Sequence, residues 1–323
     1  MAEPANDALQ PLVFEPLFME RIWGGRRLEA LFGKRLPPGV AIGESWELVD
    51  RAEAQSIVAA GPWRGRSLHE LWLQHRAEVF GEMADAPRFP LFIKLLDASE
   101  KLSVQVHPPP HAAEELGGEP KSEFWYVAEA APAAELYVGL KKGSSRAALA
   151  QALESGTVEE HLHRLPVRAG DAMFLPSGRM HAIGACNLIV EIQQNSDTTY
   201  RVFDWNRTDT GGAPRDLHID ESMQSIDFED FEPELVSPAG EVLLAHDLFC
   251  IERWNLEQPR HIAERGTFGV VMCLTGEAEC AEVRLKAGEL LLLPADAAHR
   301  VLRPRVDGTS VLRVTQGSGG AGR

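Results

Sequence analysis

Arg168-Ala-Gly-Asp-Ala-Met-Phe-Leu-Pro-Ser-Gly-Arg-Met-His181 aligns without a gap on Lys286-Ala-Gly-Glu-Leu-Leu-Leu-Leu-Pro-Ala-Asp-Ala-Ala-His299. Each copy runs from basic-Ala-Gly-acidic into an apolar stretch, then Leu-Pro, then a histidine five residues after the proline. Self-similarity of this kind marks a duplicated structural unit. The pattern suits a turn, an inward-facing strand, a proline at the strand end and a histidine projecting into a barrel. The chain therefore reads as two β-barrels in tandem.

The surrounding sequence agrees with a mainly β fold. Phe89 to Leu96, Leu136 to Leu140, Leu188 to Gln193 and Glu289 to Pro294 are short apolar runs flanked by Gly, Pro or charges, as buried strands are. A few helices are expected beside them. Ser67 to Met83 carries Leu68, Leu71, Trp72 and Val79 on one face with Ser67 placed to cap it, and Ser145 to Leu153 and Val158 to Leu165 read as a short helical pair. Phe231 to Gly240 combines Pro, Gly and acidic residues between structured runs, which puts a boundary there: residues 1–232 form one domain and 233–323 the other. The tail 316–323 is Gly/Ser-rich and reads as flexible.

Composition limits the function classes. With 44% hydrophobic and 25% charged residues, 323 residues suffice for two modest cores and exclude disorder as the default. The formal charge of −16 is spread along the chain, which argues against nonspecific binding to nucleic acid or to an anionic membrane, so a site for an anion must be locally positive. Cys186, Cys250, Cys273 and Cys280 show no CxxC spacing and read as free thiols. Met1 to Gln10 has no targeting character and no apolar run approaches bilayer-spanning length, so a soluble cytoplasmic protein is expected, monomeric or homodimeric.

The chemistry-bearing residues converge on the first copy. In Leu102-Ser-Val-Gln-Val-His-Pro, strand alternation puts Gln105 and His107 on one face and Val104 and Val106 on the other. Glu123 opens a second strand-like run in Lys121-Ser-Glu-Phe-Trp-Tyr-Val, and His181 closes the repeat. Two imidazoles, a carboxylate and an amide oxygen form a mixed N/O set suited to Zn²⁺, with Fe²⁺, Mn²⁺ or Co²⁺ as substitutes. The second copy has Thr267-Phe-Gly-Val-Val-Met and no paired donors, and His299 and His261 read as surface or structural residues. Trp46 and Trp125 read as packing, and Trp23 as a pocket wall.

These motifs resemble those of the type I mannose-6-phosphate isomerases. The resemblance is carried by Phe89-Pro-Leu-Phe-Ile-Lys-Leu-Leu-Asp-Ala, Leu102-Ser-Val-Gln-Val-His-Pro, Lys121-Ser-Glu-Phe-Trp-Tyr and Leu175-Pro-Ser-Gly-Arg-Met-His-Ala-Ile-Gly. Glu191-Ile-Gln-Gln-Asn-Ser-Asp-Thr-Thr-Tyr-Arg-Val-Phe-Asp-Trp is similar to the active-site strand of the family's short bacterial branch, and Arg21-Ile-Trp-Gly-Gly and Gly43-Glu-Ser-Trp-Glu fit as well. One departure is His107-Pro-Pro-Pro-His, where acidic residues commonly follow His-Pro.

The resemblance implies two tandem cupin (jelly-roll) barrels, the second degenerate. It implies one Zn²⁺ per chain on Gln105, His107, Glu123 and His181, with Lys121, Arg201 and Trp23 lining a sugar-phosphate pocket and Glu191 and Asp197 close by. The implied reaction interconverts mannose 6-phosphate and fructose 6-phosphate through a cis-enediol, with Glu191, Asp197 or Lys121 as the base. The rival readings are another metal-dependent cupin enzyme, such as a dioxygenase, and a non-catalytic sugar-phosphate module.

Overall fold

The computed structural model describes residues 9–208 and 213–317. Four antiparallel sheets make up most of it. Sheet I orders its strands Leu17–Gly25, Ile42–Leu48, Leu91–Ala98, Asn187–Gln194, Glu123–Ala130 and Ala172–Leu175. Sheet II has Tyr200–Phe203, Val104–Val106, His181–Ile183, Glu135–Leu140 and Leu162–Pro166. Sheet III has Val242–Ala245, Phe249–Asn255, Ser310–Gln316, Gly269–Thr275 and Leu290–Leu293, and sheet IV has Arg260–His261, Val301–Pro304, Glu277–Cys280 and Val283–Lys286. The expected barrels are thus facing pairs of open sheets: no sheet closes on itself among the described residues.

The duplication is visible in backbone geometry. In both copies the acidic residue accepts from the backbone N–H three residues earlier, Arg168 to Asp171 at 2.9 Å and Lys286 to Glu289 at 2.8 Å. The glycine between takes φ +96° at Gly170 and +81° at Gly288, a conformation that strains any other residue. The strand that follows pairs with an equivalent partner: Leu175 lies opposite Glu123, and Leu293 opposite Gly269. The position that holds a carboxylate in the first copy therefore has no side chain in the second.

Pleat alternation divides sheet I into two faces. Ile93, Leu95, Phe124, Tyr126, Val190 and Ile192 point backward into one core with Ile251, Val270, Met272, Leu292, Leu312 and Val314 of sheet III. Leu96, Ala98 and Val127 point forward to meet Leu136, Val138 and Ile183 of sheet II. Sheets III and IV enclose Val271, Leu291, Val311, Ala278 and Leu302 in the same manner. The layers thus run II, I, III, IV, with the largest core shared between the two copies. Backbone contacts also cross: Leu12 exchanges both hydrogen bonds with Leu292, and Ala295 N–H donates to Val79 O at 2.8 Å. A Cβ at Gly81 would meet the carbonyl oxygen of Gly266 at 2.0 Å, so only glycine permits that approach.

The helices depart from expectation in two places. Ser67 forms a capping box with Glu70, but the expected helix to Met83 divides into Leu68–Gln74 and Arg76–Phe80, because His75 leaves helical geometry at φ −132° with its ring against Trp63. Ser145 caps a helix over Arg146–Ser155. Val158 to Leu165 is not helical beyond the 3₁₀ turn Val158–His161; Leu162–Pro166 is instead the edge strand of sheet II, with Leu162 buried and the proline at its end. His181 opens its own strand after a turn and does not end the repeat's strand, which stops at Leu175. At the C-terminus Gln316 ends a strand of sheet III, and residues 318–323 of the expected tail lie outside the described residues. The four cysteines are free, and among the described residues no helix is long and apolar enough to cross a membrane.

Phe268 is buried against Phe80 and Phe89, with ring centroids at 6.0 and 5.7 Å. Phe268→Ala is expected to destabilise the fold by about 3–5 kcal/mol, the range for truncating a core aromatic. In urea, circular dichroism and tryptophan fluorescence are expected to report one coincident transition, since the core spans both copies.

Candidate active site and metal centre

Sheet register sets the site. On sheet II, Arg201, Gln105 and His181 lie opposite one another on three adjacent strands. On the forward face of sheet I, Trp46, Lys94, Glu191 and Trp125 form a row across four strands, and Glu123 stands two residues before Trp125 on the same face. Between the two rows lies a cavity of about 330 Å³ lined by Trp23, Gln105, Lys121, Glu123, His181, Glu191, Asp197 and Arg201, with Arg21, Glu44, Lys94, Trp125 and Arg215 among the other walls. His107 joins the group through Glu123.

His107, Glu123 and His181 are buried, and their ligand atoms lie within 4.8 Å of one another. Nδ1 of His107 donates to Thr198 O and Nδ1 of His181 to Arg179 O, both at 2.8 Å. A carbonyl can only accept, so each ring keeps a lone pair on Nε2. His107 Nε2 lies 3.1 Å from Glu123 Oε1, and His181 Nε2 lies 3.7 Å from Glu123 Oε2. Burial, then the charge of Lys121, pushes the His107 pKa down to about 3, and burial likewise lowers that of His181. Burial alone would raise Glu123, yet the ammonium of Lys121 holds it well below the usual carboxylate range. Neutral imidazole lone pairs therefore face an ionised carboxylate, an arrangement that repels unless a cation lies between them. His107 Nε2 and Glu123 Oε2 are also buried without a hydrogen-bond partner. The donor set fits a divalent cation with N/O preference. Gln105 lies at the same level, its Nε2 donating to Ser103 Oγ at 3.0 Å, which leaves the amide oxygen as the donor atom.

An alternating chain of charges crosses the opposite wall. Arg21 meets Glu44 at 2.6 Å, Glu44 meets Lys94 at 3.7 Å, and Lys94 meets Glu191 at 3.5 Å. Trp46 and Trp125 donate their indole N–H groups to Glu44 and Glu191. Burial opposes ionisation of Glu44, but Lys94 and Arg21 outweigh it and set its pKa at about 2. Glu191 goes the other way: burial, then repulsion from Glu123, raises it to about 7 against the pull of Lys94 and Lys121. Lys121 Nζ lies 2.6 Å from Glu123 Oε1; burial would lower its pKa, but Glu123 and Glu191 raise it, so it stays an ammonium. Asp197 is exposed at the rim.

Sequence reasoning overlooked several of these residues. Arg21, Glu44 and Lys94 sat within quoted motifs, and Lys94 had a usable signal as a charge in the middle of an apolar strand. Trp125 does more than pack, since its indole both walls the cavity and bonds Glu191. Trp46 packs edge-on against Phe92 at 4.9 Å, and Trp23 is buried in the cavity wall. Arg215 had no signal, lying in an irregular loop. His299 and His261 are exposed.

The model of phosphomannose isomerase type I, catalytic domain, matches residues 12–129. Mannose-6-phosphate isomerase ManA of Bacillus subtilis is 36% identical over 302 residues, covering 88% of this chain and 93% of that one. The crystal structure of the mannose 6-phosphate isomerase from Bacillus subtilis matches with TM-score 0.84 at 31% identity, over 95% of this chain and 99% of that one. A crystal structure of mannose 6-phosphate isomerase bound with zinc and yttrium shares the fold, with TM-score 0.73 at 18% identity over 96% and 100% of the two chains.

After dialysis against Zn²⁺ and desalting at pH 7, the chain is expected to retain about one equivalent of metal by elemental analysis, and Glu123→Gln or His181→Gln to retain less than about a tenth of that. Equal retention by both variants places the cation elsewhere.

Proposed function

Because the chain belongs to the type I phosphomannose isomerase family, we propose that it interconverts mannose 6-phosphate and fructose 6-phosphate by proton transfer through a cis-enediol, using one Zn²⁺ per chain. The observation that carries this reading is the pairing of unprotonated His107 and His181 around ionised Glu123 beside a cavity that the arginine Arg201 also lines. His107, His181, Glu123 and Gln105 would hold the ion. Bound there, it would supply Lewis-acid polarisation of the sugar's oxygens as negative charge develops on them.

The remaining work falls to side chains. Glu191 takes the proton from C2 of the aldose and returns it to C1, while a proton passes from O2 to O1. Supporting Glu191 as this base are its burial in the wall and a pKa near neutrality, where a carboxylate is both ionised and basic enough to accept a proton. Lys121, kept charged beside Glu123, stabilises developing negative charge at the oxygens, and Arg201 meets the phosphate through its planar fork. Asp197 stands at the rim near Lys121, and Trp23 gives the sugar an apolar wall. A dioxygenase on this scaffold has no use for the cations Lys121 and Arg201, and a non-catalytic module has none for a carboxylate tuned to about 7.

We read each facing sheet pair as a cupin jelly roll, with residues 1–232 as the catalytic unit and 233–323 as the degenerate one. The four free thiols fit a cytoplasmic setting, with the chain acting as monomer or homodimer.

In a coupled assay, Arg201→Ala is expected to lower kcat/KM by about 10²-fold or more, the scale for losing a charged contact in the transition state. Activity surviving complete chelation would sink the metal-dependent reading. The base must be ionised to act, so kcat/KM is expected to rise with pH through the titration of Glu191, which burial raises, and then level. Lys94→Met removes a cation that favours the carboxylate, so the rising limb is expected to move to higher pH by about one unit. A limb unmoved by Lys94→Met rules out Glu191 as the titrating base.

A further inference from the structure

The turn 176–180 joins the strand that ends at Leu175 to the strand that begins at His181, and it touches both histidines of the metal centre. Gly178 N–H donates to His107 O at 2.9 Å, and Arg179 O accepts from His181 Nδ1 at 2.8 Å. The Arg179 guanidinium is held on every side. Its Nε and Nη2 donate to the two oxygens of Asp230 at 2.8 and 2.7 Å, and its Nη1 donates to Phe174 O at 2.7 Å. The fork is largely shielded from water, with side-chain exposures of 16% for Arg179 and 15% for Asp230.

Asp230 comes from the segment between helix Ile219–Ser225 and strand Val242–Ala245. Much of that segment reads in the sequence as a boundary between structured runs, yet it lies on the first copy as a strap. Leu140 N–H donates to Asp230 O at 3.0 Å, Glu232 N–H to Leu140 O at 2.9 Å, Val236 N–H to Ala172 O at 2.8 Å and Asp227 N–H to Gly178 O at 2.9 Å. A Cβ at Gly139 would meet Pro233 Cδ at 2.5 Å, so strap and strand are in direct contact. The Asp230 carboxylate is therefore a fixed point, and Arg179 is stretched between it and Phe174 O. A histidine that offers Nε2 to an ion keeps its tautomer and ring orientation only if Nδ1 has an anchored acceptor. The Arg179 carbonyl is that acceptor for His181, and the grip on the Arg179 side chain sets its aim.

We propose that Asp230 is a positioning residue for the metal centre: its fork on Arg179 orients the Arg179 carbonyl, which holds His181 in the tautomer that presents Nε2 to the cation. Metal affinity thereby depends on a carboxylate that does not line the cavity. The identity of the cation rests on the metal-dependent reading of the site; the orientation of the His181 ring does not.

The experiment measures Zn²⁺ affinity by competition with a chromophoric chelator, and the His181 tautomer from ring ¹⁵N shifts of the metal-free chain. Arg179→Met and Asp230→Asn are each expected to raise the Zn²⁺ Kd by about 10-fold, the lower end of the range for losing a group behind a metal ligand. Each is also expected to convert part of His181 to the Nε2–H form. Charge alone predicts opposite signs, since losing the cation Arg179 would tighten Zn²⁺ binding and losing the anion Asp230 would weaken it. Weakening in both variants is thus specific to positioning. The double variant is expected to lie within about threefold of either single one, because both remove the same interaction. Arg179→Lys is expected to recover part of the loss, because it keeps the charge and loses the fork. Lys142→Met removes the strap's ion pair with Glu232 at 3.3 Å, on an exposed lysine, and is expected to leave the Zn²⁺ Kd within about threefold of the parent. Three outcomes overturn the proposal: Zn²⁺ affinity in Arg179→Met equal to or above the parent's, an unchanged His181 tautomer in both variants, or equal losses for Lys142→Met and Asp230→Asn. If the parent binds no Zn²⁺ while both variants still shift the His181 tautomer, the metal-dependent reading fails and the positioning stands.

Discussion

Everything in the site depends on sheet I being buried on both faces. A pleated strand sends alternate side chains to opposite sides, so one strand can serve two environments only if each side is fully occupied. In Leu91–Ala98, Leu91, Ile93 and Leu95 enter the core shared with sheet III while Lys94 and Leu96 face the cavity. Asn187–Gln194 repeats the division, with Leu188, Val190 and Ile192 behind and Glu191 in front. Burying those apolar side chains stabilises the sheet by about 1.5–3 kcal/mol each. That gain offsets the desolvation of Glu123, Lys94, Glu191 and Lys121, none of which could stay buried without paired charges and a rigid frame. The second copy, which has no equivalent donor set, supplies the back wall of that frame.

The same frame distributes charge by sign. Glu44 sits between two cations and stays ionised well below neutrality, whereas Glu191 shares one cation with it and feels Glu123, so it titrates near pH 7. Two carboxylates on the strands either side of Leu91–Ala98 thereby acquire different acidities from their surroundings alone. The metal end and the arginine end of the cavity are likewise separated by register, since Arg201, Gln105 and His181 occupy successive strands of sheet II.

Much of this was legible in the sequence because it follows local periodicity. The repeat and the second copy's missing donors are read by aligning the chain on itself, and the Gln105 and His107 alternation by two-residue spacing. What depended on distant packing was not. Whether paired sheets close into barrels is set by tilt and stagger across many strands. Leu162–Pro166 passed for helix because its two leucines, three apart, suit a helical face as well as an edge strand. Lys94 was inside a quoted motif, but its partners Glu44 and Glu191 lie 50 and 97 positions away in the chain. Arg215 reaches the cavity from an irregular loop that no periodicity describes.

The contrast between Glu123 and Gly269 also bears on how the two copies diverged. A Cβ at Gly269 would come within 2.8 Å of Ile262 Cγ2, so the second copy has lost the room as well as the ligand. Nearby, the buried Arg300 donates to the carbonyls of Ala263, Glu264, Thr267, Pro294 and Ala295, tying together the loops that flank the equivalent of the metal centre. A carboxylate placed at 269 would arrive into occupied space, so that single substitution does not give the second copy what Glu123 gives the first. The second copy is thus kept to its supporting role by steric fit as well as by the absence of a ligand.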